Sequence, residues 1–281
     1  MELIDEKGDF HIHTVYSDGT HTPKEILEYV KSSKLQYFSI TDHDNVDAVE
    51  EVLKIIKDKN IKFIPGIELS TYNNDESIHV LGYFKDENYK NKDFLNKLEE
   101  IRNFRVNRAS EIVSKLNFYF DIKIDFNRLK EISKGVIARP HIAQCIIEAG
   151  YPYTYESIFK TILNKKSPAY VDTKAISTID GIKLLKNYNA VVFLAHPKIY
   201  KKNKLKDLLA LGFDGFEAIY PLNKIEETLE YIKLAKHENM VISAGTDFHS
   251  IKKDDTHPAS IGEFYLNGND LTKFLITLIK G

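Results

Sequence analysis

Short apolar runs alternate with stretches of helical periodicity along most of this chain, and this alternation restricts the fold more than any other feature. The predicted strands span residues 10–13, 37–41, 62–67, 79–84, 191–195, 215–219 and 241–244. Repeated strand–helix units build parallel sheets, and at this number of units we favour a barrel over an open sheet. Because the chain lacks eight clean units, the pattern predicts an α/β fold with a seven-stranded or distorted barrel.

The alternation stops between residues 90 and 166, where apolar side chains recur at helical spacing instead. This change predicts a helical insertion over 90–166, inside a barrel built from 1–89 and 167–281. The clearest predicted helix of the barrel part spans 22–33, where Thr22, Pro23 and Glu25 form a capping-box pattern.

Composition excludes several classes of protein. The 39 basic and 41 acidic residues give a net charge of −2, which argues against a long nucleic-acid-binding track. The single cysteine, Cys145, excludes a disulfide framework and a cysteine-rich metal site, and its apolar neighbours predict a core position. No run approaches the roughly 18 apolar residues of a membrane span, and the charged first residues lack an apolar leader. We therefore expect a cytoplasmic protein without a membrane partner.

Histidines and carboxylates are concentrated where the predicted strands end. They are His11, His13, Asp42, His43, Glu68, His79, His196, Asp247 and His249. The carboxyl ends of barrel strands meet at one face, so these side chains should converge on one pocket. Imidazole and carboxylate ligands without thiolates suit Zn²⁺, Mn²⁺ or Fe²⁺. Their number exceeds what one ion takes, so we expect more than one metal.

Each motif also has an ordinary structural interpretation. His11 and His13 lie on one face of a strand, as two surface histidines often do. Asp18 would ordinarily be a turn residue. We interpret His21, His237 and His257 as solvated or structural.

In combination, however, these motifs resemble a known family. The segments are Phe10-His-Ile-His13, Ser17-Asp-Gly19, Ile40-Thr-Asp-His-Asp44, Pro65-Gly-Ile-Glu68, Leu194-Ala-His-Pro197 and Gly245-Thr-Asp-Phe-His-Ser250. Together they resemble the PHP (polymerase and histidinol phosphatase) superfamily from about Gly8 to Ser250. The Ser-Asp-Gly segment and the insertion are similar to the branch of nucleoside 3′,5′-bisphosphate phosphatases and 5′→3′ exoribonucleases.

The resemblance implies a distorted (β/α)7 barrel with a trinuclear metal centre. The implied ligand groups are His11, His13, Glu68 and Asp247; Glu68, His79 and His196; and Asp18, His43 and His249. His11, His13, Glu68, His196 and Asp247 are also the implied catalytic residues. Asp42 should orient a neighbouring ligand. Two to three divalent ions are implied, with manganese as our first choice and iron or zinc as alternatives, and they would activate a water for attack on phosphorus.

Basic residues of the insertion suggest a second anion site. Arg102, Arg105 and Arg108 recur at every third position of a predicted helix, so Arg102 and Arg105 are neighbours on its surface. This spacing alone is typical of a solvated basic face. Guanidinium groups bind phosphate through two parallel hydrogen bonds. With the resemblance, we predict a 5′-phosphate clamp of Arg102, Arg105, Arg139 and His141 in an insertion that covers the active site.

These observations predict a phosphoesterase for 5′-phosphorylated nucleotides, acting as a bisphosphate 3′-phosphatase, as a 5′→3′ exonuclease on short RNA, or as both. The expected partner is a small nucleotide or a short 5′-phosphorylated oligonucleotide. Histidinol phosphatase is one alternative, although that small substrate would not need the insertion. An amidohydrolase-like hydrolase is another, although such barrels usually carry a bridging lysine where Glu68 stands here. A non-enzymatic metal-binding or polymerase-accessory module would predict missing ligands, whereas all nine implied ligand positions carry a suitable side chain here.

Overall fold

A computed structural model of the chain describes residues 6–133, 137, 139–171, 176–251 and 256–279. The strands are β1 Lys7–Asp9, β2 Tyr37–Phe38, β3 Lys62–Phe63, β4 Gly66–Asn73, β5 Glu76–Phe84, β6 Ala190–Leu194, β7 Gly215–Ile219, β8 Val241–Ala244 and β9 Leu266–Asn267. The helices are α1 Pro23–Ser32, α2 Asp47–Ile55, α3 Lys92–Phe120, α4 Phe126–Ser133, α5 Arg139–Glu148, α6 Tyr155–Ser157, α7 Thr178–Asn187, α8 Leu205–Leu209, α9 Ile225–His237 and α10 Gly268–Ile279. The predicted α/β class is confirmed.

The described strands form two sheets. One has four strands in the order β3-β2-β1-β9, and the other has five in the order β4-β5-β6-β7-β8. Isolated parallel bridges also join Ile12 to Phe248 and His43 to Glu68. The named strands of the described residues form two separate sheets and not one closed sheet, so the seven-unit barrel stays a prediction.

The expectation of a parallel sheet is wrong for three neighbouring strands of the second sheet. β4 runs antiparallel to β5, and β5 runs antiparallel to β6. Only Asn74 and Asp75 connect β4 to β5, and both have positive φ, at 43° and 61°. A two-residue turn of this kind makes a hairpin, whereas a parallel pair would need a crossover of a dozen residues.

The chain divides into two compact units, of which the first comprises Met1–Leu95 and Ile176–Gly281. An aromatic cluster of fully buried side chains lies in this unit, with Phe274 of α10 within 4.2–5.4 Å of the rings of Phe10, Tyr83 and Phe193. The Tyr83 hydroxyl also donates to the Phe10 carbonyl at 2.9 Å. These contacts fix the backbone directly before His11.

The predicted start of the first helix is confirmed. The Thr22 side chain accepts from the Glu25 amide, while the Glu25 carboxylate accepts from the Thr22 amide at 2.8 Å. This reciprocal cap satisfies two donors that would otherwise be unpaired at the start of α1.

The second unit comprises Asn96–Ala175, and its described part contains helices and no strand. Its core includes Ile112, Leu116, Leu129 and Ile146. Cys145 is buried in this core, as predicted. None of the helices in the described ranges is long and apolar enough to cross a lipid bilayer.

Candidate metal centre

All nine predicted metal ligands lie in the first unit. Eight of them follow or occupy strands: His11 and His13 follow β1, His43 follows β2, Glu68 and His79 lie within β4 and β5, His196 follows β6, and Asp247 and His249 follow β8. Asp18 lies in the loop before α1. Ile12 is buried in the core, so the alternation of side chains turns His11 and His13 together to the other face.

The first group of ligands converges around one point. The Nε2 atoms of His11 and His13 lie 3.2 Å apart. Each lies 3.1–3.3 Å from Glu68 Oε2 and Asp247 Oδ1. Four donors bonded at about 2.0–2.1 Å to a central ion have comparable separations from one another. The atoms therefore form a compact cage of the size that a divalent cation occupies.

Glu68 connects this group to a second one. Its Oε2 atom faces the first group, while its Oε1 atom lies 3.0 Å from His79 Nδ1 and 2.9 Å from His196 Nε2. One carboxylate with an oxygen toward each group is the arrangement expected of a bridging ligand.

A third group lies around Asp18. Its carboxylate oxygens lie 3.2 Å from His249 Nε2 and 3.7 Å from His43 Nε2. The side chain of Asp18 is 24% exposed, compared with 1% for Glu68. The cluster is thus buried at Glu68 and open to solvent near Asp18.

The electrostatics of the cluster fit cations. Burial alone would raise the pKa of Asp247, but the rings of His11 and His13 hold it well below its usual range. Burial would lower the pKa of His13, but hydrogen bonds with Asp247 and Glu68 raise it to about 10. The negative charge of the carboxylates thus favours protons on the neighbouring histidine nitrogens. Metal ions compete with these protons for the same nitrogens.

Unsatisfied polar atoms support the same conclusion. Within the described part of the chain, Asp18 Oδ1 and His43 Nδ1 are buried and lie 3.1–3.2 Å from other ligand atoms without a hydrogen bond of regular geometry. A buried polar atom of this kind is costly unless an ion or another group satisfies it. The His/Asp/Glu cluster is therefore suited to binding divalent metals.

Comparison with known proteins places the chain in a family. The family model of the PHP domain matches residues 9–202. The chain belongs to the PHP domain family. The resemblance inferred from its motifs is confirmed, and this PHP-domain protein is a metal-dependent phosphoesterase.

Relatives of this PHP-domain protein extend over most of its length. It is 25% identical over 250 residues to a 5′-3′ exoribonuclease of Haemophilus influenzae, covering 87% of this chain and 90% of that protein. It is 23% identical over 253 residues to a 3′,5′-nucleoside bisphosphate phosphatase of Chromobacterium violaceum, covering 86% and 87%. A solved structure from Bifidobacterium adolescentis, assigned as a metal-dependent phosphoesterase, has a TM-score of 0.77 at 25% identity and covers 97% of this chain and 96% of that one.

Asp42 lies behind the first group in the PHP-domain protein. Its carboxylate accepts from the Thr14 amide at 2.7 Å, the Thr14 hydroxyl at 2.7 Å and the Ser17 hydroxyl at 2.6 Å. Ser17 Oγ in turn lies 3.4 Å from His13 Nδ1. Asp42 therefore reaches His13 through Ser17, and the orienting role predicted for it stays a prediction.

Sequence reasoning missed three side chains that contact the cluster. Glu217 Oε1 lies 3.0 Å from His11 Nδ1. The Tyr220 hydroxyl donates to Asp247 Oδ2 at 3.0 Å, and His257 Nε2 lies 3.8 Å from the same oxygen. The one available signal was Glu217 itself, a single carboxylate within the apolar run of β7.

The predicted 5′-phosphate clamp lies in the second unit of the PHP-domain protein. Arg102 and Arg105 belong to α3, while Arg139 and His141 lie in the first turn of α5. Arg139 Nη1 donates to the Leu163 carbonyl at 3.3 Å. The role of these four side chains stays a prediction.

Proposed function

We propose that this chain hydrolyses phosphate esters of 5′-phosphorylated nucleotides, as a nucleoside 3′,5′-bisphosphate 3′-phosphatase, as a 5′→3′ exonuclease on short RNA, or as both. The observation that carries the proposal is the position of Glu68, whose two oxygens face two different groups of histidine nitrogens. The names of the relatives from Haemophilus influenzae and Chromobacterium violaceum support nucleotide substrates.

Two to three divalent ions would occupy the cluster, with manganese as the first choice and iron or zinc as alternatives, since imidazole and carboxylate ligands accept all three. The proposed groups are His11, His13, Glu68 and Asp247; Glu68, His79 and His196; and Asp18, His43 and His249. When bound, such ions lower the pKa of a water molecule and neutralise charge on phosphate oxygens.

The burial of the ligands indicates how the chain would present these groups to a phosphate. His11 and His13 are fully buried at the floor of the site, where they hold the pKa of Asp247 well below its usual range, and His43 and His11 do the same for Glu68. Asp18 and His79 are 24% and 23% exposed, so we infer that the phosphate enters on their side.

Arg102, Arg105, Arg139 and His141 would bind the 5′-phosphate, because guanidinium groups pair with phosphate oxygens bidentately. We place them in an insertion over 90–166 that covers the active site of a distorted (β/α)7 barrel formed by 1–89 and 167–281. The proposed substrates are small enough that no long nucleic-acid track and no membrane are needed, in keeping with a cytoplasmic enzyme.

Phosphate release from 3′-phosphoadenosine 5′-phosphate with added Mn²⁺ tests the reaction. Asp247→Ala should reduce release to background because it removes an oxygen from the first group, while Asp207→Ala, an exposed aspartate, should not. Parallel assays use histidinol phosphate and short RNA with a 5′-phosphate or a 5′-hydroxyl. Release from histidinol phosphate alone would refute the nucleotide assignment in favour of histidinol phosphatase.

A second comparison tests the clamp. Arg102→Gln should reduce the preference for 5′-phosphorylated over 5′-hydroxyl RNA, because one bidentate partner of the phosphate is lost. Arg128→Gln is the matched control, since Arg128 lies in the same unit, is exposed and pairs with Glu148. An unchanged preference in the Arg102 variant would refute the clamp without affecting the metal centre.

A further inference from the structure

Glu217 is a carboxylate in the middle of β7, a strand whose other residues are apolar or glycine. Its side chain is 0% exposed. A buried carboxylate is strongly destabilising unless basic groups or hydrogen-bond donors surround it. Within the described part of the chain, the one basic side chain at ion-pair distance from Glu217 is that of His11.

The first contact determines which nitrogen of His11 carries a proton. Glu217 Oε1 lies 3.0 Å from His11 Nδ1. With Glu217 as the acceptor of this contact, Nδ1 donates, and a neutral His11 ring then has its lone pair on Nε2. This Nε2 atom is the one that faces Glu68 Oε2 and Asp247 Oδ1. Glu217 therefore selects the tautomer of His11 that can bind an ion in the first group.

The second contact holds the backbone of His196. Glu217 Oε2 accepts from the His196 amide at 2.9 Å. His196 has a φ of 27°, in the left-handed region that is unfavourable for a residue with a side chain. In this conformation its Nε2 atom lies 2.9 Å from Glu68 Oε1. The hydrogen bond thus stabilises a strained backbone that aims His196 at the second group.

Gly245 shows how closely the structure packs around the Glu217–His11 pair. A Cβ atom at this position would lie 2.2 Å from His11 Cβ and 2.9 Å from Glu217 Oε1. Both distances are shorter than van der Waals contact, so only glycine leaves room for the pair in its present place.

From these contacts we propose that Glu217 is a positioning residue that sets the His11 tautomer and fixes the His196 backbone, so that the first and second ligand groups bind their ions together. Since Glu217 is fully buried, it acts through these two histidines and does not touch substrate. The inference rests on the proposed function in one respect, because it assumes that ions occupy these groups.

Glu217→Gln tests this role, because the amide can accept from only one of the two donors and directs its NH₂ group at the other. We expect Zn²⁺ affinity at the first and second groups to fall about 10- to 100-fold, with affinity at the Asp18 group unchanged. Chelator-competition titration of Zn²⁺ measures the affinities. Glu230→Gln, an exposed glutamate of α9, is the matched control and should bind Zn²⁺ as the wild type does.

A spectroscopic measurement separates positioning from a general loss of stability. In ¹⁵N-histidine spectra of the Zn²⁺-loaded wild type, His11 should be protonated at Nδ1 and bound through Nε2, and Glu217→Gln should lose this pattern. The His11 signals are identified by their absence in His11→Gln. A Glu217→Gln protein of lower thermal stability but with unchanged Zn²⁺ affinity and an unchanged His11 tautomer would overturn the proposal.

Glu217→Asp keeps the charge and both acceptor oxygens but shortens the side chain by one methylene. We expect its Zn²⁺ affinity to lie between those of wild type and Glu217→Gln, and no recovery relative to Gln would overturn the role of the carboxylate. Wild-type protein that binds no Zn²⁺ would overturn the inference and the metal centre together. Wild-type protein that binds Zn²⁺ with the expected tautomer but releases no phosphate would support the inference and refute the proposed function.

Discussion

The hydrogen bonds around Asp42 lead to a prediction about the free energy of unfolding. Its side chain is buried, and its two oxygens accept from three donors on Thr14 and Ser17 at 2.6–2.7 Å. Asp42→Ala removes both acceptors. The Thr14 amide cannot turn away, and losing its bond to a charged group costs about 1.5–3 kcal/mol. Each of the two hydroxyls loses about 1 kcal/mol more, so we expect a total of about 3.5–5 kcal/mol.

Asp42→Asn should be much less harmful. Its carbonyl oxygen can remain at the Oδ1 position and accept from the Thr14 amide and the Ser17 hydroxyl. Its NH₂ group then faces Thr14 Oγ1, which already accepts from the Tyr16 amide at 3.1 Å but has a second lone pair. Of the three donors that Asp42 accepts from, all but the Thr14 hydroxyl therefore keep a partner, and we expect a loss of about 1 kcal/mol.

Urea unfolding followed by circular dichroism measures both variants, with a chelator present so that metal binding does not contribute to stability. Asp207→Asn, at an exposed position of α8, is the control for the change in charge. If Asp42→Asn cost as much as Asp42→Ala, the charge of Asp42 would be responsible and the argument from hydrogen bonds would be wrong.

Three further variants test other parts of the structure. Tyr220→Phe removes the hydroxyl that donates to Asp247 Oδ2, so Zn²⁺ affinity of the first group should fall by about 10-fold in a chelator-competition titration; unchanged affinity would contradict the contact. Thr22→Ala removes the reciprocal cap with Glu25 and should lower the free energy of unfolding by about 0.5–2 kcal/mol in urea. Phe274→Ala leaves a cavity in the aromatic cluster and should cost about 3–5 kcal/mol, and a loss below 1 kcal/mol would mean that the cluster rearranges to fill it.

The positions of the ligands could be predicted for two reasons. Parallel strands end at the same side of a sheet, and successive side chains of a strand point to opposite faces. His11 and His13 share a face because Ile12 enters the core between them, and this follows from the spacing alone. Asp247 lies more than 200 residues from them, but it follows β8 and so reaches the same end of the fold. For Asp18, which lies in a loop, spacing implied only a turn, and the family resemblance was needed.

The direction of β5 was not predictable from the apolar pattern, because that pattern is the same for a parallel and an antiparallel neighbour. The difference lies in the short connection between β4 and β5, where Asn74 and Asp75 both have positive φ. Asn and Asp tolerate that conformation better than other non-glycine residues. The predicted strands ended at residue 67 and resumed at residue 79, so the two-residue length of this connection, which excludes a crossover, is visible only in the structure.

Glu68 and Glu217 show why a metal centre is harder to predict than its ligands. Both are single carboxylates within otherwise uncharged, buried strands, and both contact His11, one at Nε2 and the other at Nδ1. A carboxylate in such a strand must face a cation or a set of donors, since burial alone would be too costly. The sequence patterns around Glu68 and Glu217 are nearly the same. Local sequence therefore does not determine which ring nitrogen of His11 each carboxylate approaches; the packing of β4 and β7 does. A buried lone carboxylate in an apolar strand is therefore a signal for a histidine partner, and the fold decides whether it binds the ion or orients the ring that does.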